Sequence, residues 1–191
     1  YGEDAAYGRY LSHLGYFWAI SDYMDVALQG DYFTRGKINL LSRFRYALRY
    51  KYTGSVELGG TRIRLGEATD LDKRSEDDWL INVQHNQTID PSTNLSANVN
   101  ILSSKAYYDN STNNLSTLLQ QNAVSNITVT KFWEGTLNQL SINYSRDQNL
   151  QTNELSQTAP SISFSRSKTY PFSNKNTSLL DLKWYETISY C

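Results

Sequence analysis

The chain has 191 residues, 18 Lys and Arg against 19 Asp and Glu, a formal net charge of -1, and 13% aromatic residues. That length fits one domain or part of a larger one. The near-neutral balance gives no reason to expect nucleic acid as a partner, the aromatic content argues against disorder, and no stretch approaches the roughly 18 apolar residues of a membrane helix.

No basic segment followed by an apolar run opens the chain. It starts at Tyr1 and ends at its one cysteine, Cys191, so both ends are expected to be edges of a longer polypeptide. One Cys forms neither an internal disulfide nor a cysteine-based metal site. Residues 1–22 are expected to be a lead-in, the end of an upstream region, and residues 23–191 a run of strands. From there the period is two rather than 3.6. Met24, Val26, Leu28, Gly30 and Tyr32 alternate with Asp25, Ala27, Gln29 and Asp31. Ile38, Leu40, Ser42, Phe44, Tyr46 and Leu48 alternate with Lys37, Asn39, Leu41, Arg43, Arg45, Ala47 and Arg49, an apolar face backed by a basic one. The strand from Thr53 to Leu65 changes phase at Gly59-Gly60, which suggests a bulge. Trp79, Ile81 and Val83 make the next apolar face, then Leu95, Ala97, Val99 and Ile101. Leu115–Gln121 is read as the start of a long strand. Leu140, Ile142 and Tyr144, then Ile162 and Phe164, and last Leu180, Leu182, Trp184, Ile188 and Tyr190 complete the series.

The expectation is all-β: an antiparallel meander of about nine long strands, part of a large transmembrane outer-membrane β-barrel. About ten residues at 3.3 Å each, tilted near 40°, rise about 25 Å, the apolar height of such a barrel. Apart from a short upper turn at 34–36 and a less tidy lower connection at 169–177, the connections alternate between longer (66–77, 105–114, 148–155) and shorter (50–52, 89–92, 132–136), as in barrels with long outer loops and short periplasmic turns. Trp79, Trp133 and Trp184 fall near strand ends, where an aromatic girdle sits. A secreted β-sandwich or adhesin-like binding module shares the dyad pattern, and a porin or plugged transporter shares the barrel.

Motifs for catalysis are missing from the sequence. His13 and His85 stand alone, with no G-x-S-x-G, Walker loop or H-E-x-x-H, so neither catalytic residues, metal nor cofactor are expected. The acidic run Asp70–Asp78 is read as a solvated outer loop. The sequons at Asn86, Asn94, Asn110, Asn114, Asn126, Asn143 and Asn176 are attributed to composition, since several lie inside strands.

Gly15–Asp25 followed by Gly30–Gly36 resembles the start of the barrel in the outer-membrane lipopolysaccharide-assembly family LptD, in the branch seen in Bacteroidota. Arg49–Ser55, Trp79–Ile81 leading to His85–Gln87 and Asp90-Pro91, Asn94–Asn100, Ser163–Arg166, Tyr170–Phe172 and Lys183–Glu186 are similar in order and spacing. The resemblance implies a non-enzymatic component that inserts lipopolysaccharide into the outer leaflet through a lateral gate. It also implies an LptE-like plug lipoprotein, periplasmic Lpt bridge proteins and outer-membrane lipid as partners. The gate strand would be Tyr23–Phe33, with Asp25, Val26, Leu28 and Asp31. Facing a lumen, Lys37, Arg43, Arg45 and Arg49 could meet lipopolysaccharide phosphates, or pair with Asp25 and Asp31. Arg62 and Arg64 are expected near that row. The prolines of better-known members' first strands, and their disulfide cysteines, have no counterpart here.

Overall fold

The computed structural model describes residues 1–65, 74–111, 118–136 and 138–166. Ten strands form one antiparallel sheet in chain order. They are β1 (Gly2–Asp4), β2 (Gly8–Ser21), β3 (Met24–Phe33), β4 (Lys37–Leu48), β5 (Tyr52–Leu65), β6 (Arg74–Asp90), β7 (Thr93–Leu102), β8 (Asn122–Trp133), β9 (Asn138–Asn149) and β10 (Leu155–Arg166). A short helix, α1 (Ala106–Ser111), follows β7. Each strand pairs with its sequence neighbours, so the sheet is an up-and-down meander with no crossover. The last expected face, Leu180–Tyr190, lies outside the described residues.

The first strand of the series comes earlier than the sequence suggests. The stretch read as a lead-in is β2, which pairs with β3 from Tyr10↔Phe33 to Ser21↔Met24. Two register shifts, at Leu11/Leu14 and Ala19/Ser21, interrupt its alternation. At the first, His13 adopts φ 59° and its backbone N–H donates to Asp31 Oδ1 at 2.7 Å. A bulge of this kind hides a strand from a strict period-two reading.

Gly59-Gly60 is not a bulge. The β4–β5 register is continuous from Leu48↔Tyr52 to Lys37↔Ile63, and β5–β6 is continuous past the same point. The phase change reflects a change of surroundings along an unbroken strand. Below Gly60 the apolar face carries Val56 and Leu58. Above it the same face carries Arg62, ion-paired to Asp77 at 2.6 Å, while Ile63 on the other face is 3% exposed. Of the stretch read as the start of a long strand, Leu118–Gln121 precede β8, which starts at Asn122, and Leu115–Thr117 lie outside the described residues.

At one end of the sheet the connections are tight: Asp22–Tyr23, Arg49–Lys51, Pro91–Ser92 and Glu134–Thr136. Asp90 builds one of them, its Oδ1 accepting the Ser92 N–H at 2.8 Å, an Asx turn that reverses the chain. The other end carries Ser103–Ser111 with α1, and Leu150–Glu154, besides the tight turn at Thr34–Gly36. Gly36 takes φ 88° there, in the region glycine favours.

The packed core is small: Leu80, Leu102, Tyr107, Tyr108, Ala123 and Leu150, gathered where α1 meets the sheet. Large apolar side chains lie in the open instead, among them Trp18, Leu28, Leu40, Leu58, Trp79, Ile162 and Phe164. A soluble sandwich would cover them with a second sheet; the described strands all belong to one sheet.

Candidate functional site

The register sorts the side chains onto two faces of opposite chemistry. Reading across β3 to β7, one face carries Val26, Phe44, Val56, Val83 and Val99, with Leu58, Ile81 and Ile101 one step along. The other carries Asp25, Arg45, Ser55, Gln84 and Asn98. The first suits lipid and the second water, the division expected of a barrel wall with its polar face toward the lumen.

Each border of the apolar face is marked by amphipathic groups. At the tight-turn end the Tyr46 ring lies across Gly54, where any side chain would collide with it. The Tyr46 hydroxyl shares a hydrogen bond with His85 Nδ1 at 2.8 Å, and His85 Nε2 lies 3.2 Å from Gln87 Oε1. His85, which looks isolated in the sequence, is thus part of the girdle. Trp133 sits at the same end, 6.2 Å from the Phe164 ring and 6.0 Å from Lys131 Nζ. At the opposite end Trp79 stands just below the Arg62–Asp77 pair. Ring bodies in the apolar zone with polar tips outward are the interface arrangement of membrane barrels.

On the polar face the basic row is largely paired. Arg43 bonds Glu57 at 2.7 Å and Arg45 bonds Asp25 at 2.9 Å. Arg49 lies past the end of β4, its guanidinium 4.7 Å from the Tyr50 ring. Lys37 is 8% exposed, with Nζ 4.6 Å from the Tyr7 ring and 5.0 Å from Phe33. Arg62 does not join this row, because its register partner Ile38 faces the other way. Arg43 and Arg45 stay about half exposed, so solvent screens each pair and neither adds much to stability. Arg45→Gln is expected to leave the urea unfolding midpoint nearly unchanged; a large downward shift would mean that this face is dry.

The expected gate residues Asp25, Val26, Leu28 and Asp31 all lie on β3, which is paired on both sides. On its other side β2 pairs with β1 over Gly2↔Tyr10 to Asp4↔Gly8.

The polar face also holds a concavity that sequence reasoning missed. A cavity of about 580 Å³ is bounded by β2–β6 and roofed by α1. Gly59 seats the roof: a side chain there would occupy the place of the Tyr107 ring. Tyr107 and Tyr108 are buried, their rings 5.9 Å apart. Burial pushes the Tyr107 hydroxyl up to about 12. An acid raised this way favours the folded state while neutral, so its contribution is complete below its unfolded value and lost as pH climbs toward 12. Alkaline difference titration of the parent against Tyr107→Phe should show one tyrosine ionising late; a difference centred near the ordinary value of about 10 would place Tyr107 in water.

Together, a long-stranded meander, an apolar face bounded by aromatic girdles, a polar opposite face and alternating connection lengths define the wall of an outer-membrane-type β-barrel. The family model described as "LptD protein" matches residues 1–191, the whole chain. The chain belongs to the LptD family. No curated protein matches it. Family membership carries a non-enzymatic, outer-membrane role connected with lipopolysaccharide transport.

Proposed function

We propose that this chain is the early wall of a barrel that passes lipopolysaccharide into the outer leaflet through a lateral opening. The observation that carries the reading is the two-faced sheet in a chain of this family: Val26, Phe44, Val56, Val83 and Val99 turn one way, and Asp25, Arg45, Ser55, Gln84 and Asn98 the other. An unpaired strand edge in lipid is costly, so in the full barrel these strands close against others, and a weak seam on the β2–β3 side is a door for an amphiphile. Opening along the β2 side places Tyr16 and Trp18, with their ladder partners Leu28 and Val26, at the lipid side of the seam. Residues before β2 would then connect to an upstream periplasmic region. An LptE-like lipoprotein would occupy the lumen, and Lpt bridge proteins would deliver cargo from the periplasm.

Photo-crosslinking in the full-length parent tests this. Lipopolysaccharide adducts should be strongest at Trp18 and Val26 and fall away toward Ile142 on β9. Equal yields at all three positions would remove the gate from the β2–β3 side. Lys37, Arg43, Arg45 and Arg49 enter the proposal as lumen contacts for cargo phosphates, which must compete with the carboxylates already holding Arg43 and Arg45. Neutralising Arg43 and Arg45 together should reduce crosslinking from the polar face; unchanged crosslinking confines them to a lining role.

A further inference from the structure

We propose that the cavity beneath α1 is a binding subsite for an uncharged sugar ring. Its volume, about 580 Å³, is that of a small-molecule site. Two of its polar atoms, Asn39 Oδ1 and Thr61 Oγ1, have no hydrogen-bond partner although Asn39 is 8% and Thr61 3% exposed. Buried polar atoms left unpaired are costly, and a hydroxyl-rich ligand satisfies them. Both atoms are sealed from solvent in this structure, so the ring reaches them by shifting the side chains that cover them.

Charge decides against an anion. Asp4, Asp31 and Glu57 line the same space as Lys37. Glu57 is neutralised by Arg43 and Asp31 accepts the His13 N–H, while Asp4 accepts the N–H groups of Ala6 and Tyr7 at 2.8 Å. A phosphate would meet these carboxylates with one buried ammonium to hold it. A neutral ring meets acceptors, an amide, a hydroxyl and an ammonium donor, with Tyr10, Phe33 and Tyr107 for its apolar side. Aromatic and hydrogen-bonding groups in this combination suit a saccharide.

The test is saturation-transfer NMR on the full-length parent in a detergent without sugar headgroups, with glucose, galactose and mannose offered singly. At least one should give signal, weakened about tenfold or more in both Thr61→Val and Asn39→Leu and not displaced by inorganic phosphate. Thr61→Val keeps the side-chain shape, so its loss of signal does not reflect misfolding. No signal with any sugar, signal surviving both variants, or displacement by phosphate would overturn the proposal. Displacement by lipopolysaccharide bearing core sugars supports the site with attached saccharide as the source, which rests on the transport reading. Failure of that displacement supports it with free saccharide as the source, and leaves the transport reading to the crosslinking at Trp18.

Discussion

Ile81→Arg is expected to destabilise the full-length barrel by about 2–4 kcal/mol, the cost of a cation on the lipid face near the bilayer midplane. Ile81 stands between Leu58 and Ile101 on the apolar face, between the Trp79 and His85 levels of its own strand. Gln84→Arg, three residues on and facing the other way between Ser55 and Asn98, should change stability by less than about 0.5 kcal/mol. Urea unfolding in lipid vesicles measures both. Equal effects at the two positions would mean that the faces do not differ in their surroundings.

Gly59→Val should release α1. The added side chain takes the space of the Tyr107 ring, and removing one buried aromatic from its seat costs about 2–3 kcal/mol. Local opening of that size raises cleavage in the Ser103–Gln121 connection by tens-fold, since proteolysis follows the population of the open form. Gly60→Val is the control: a Cβ there meets nothing within 4 Å, so cleavage should stay at the parent rate. Equal rates in both variants would show that Gly59 does not hold the helix.

The apolar faces of β3, β4, β6, β7, β9 and β10 are legible because each keeps one phase over the stretch that carries its apolar residues; the register shifts at Thr88/Asp90 in β6 and Thr158/Ser161 in β10 lie outside those stretches. β2 escaped notice because its bulge at Ser12-His13 breaks the alternation. At Gly59-Gly60 a change of phase resembles a bulge, yet it marks where the outer face passes from lipid-like surroundings to the Arg62–Asp77 pair. The sequence holds both charges, but only the β5–β6 register brings them opposite. The pairing of Arg45 with Asp25 follows from hairpin register and was open to reading. Arg43 with Glu57 needed the next hairpin as well. The cavity was hidden for a different reason. It depends on a helix of six residues, too short to show a stripe, folding back across strands distant in sequence. The one local sign was Gly59, a glycine inside a strand, which is often a place where something approaches closely.

The central claim is that one face of this sheet meets lipid and the other water. Spin labels placed singly at residues 80–85 of β6, in the full-length protein in vesicles with Cys191 replaced by Ser, test it most directly. Collision with oxygen should peak at Ile81 and Val83, and collision with a water-soluble nickel chelate at Asn82 and Gln84, a period of two with opposite phase. Chelate access equal at all six positions would contradict the claim.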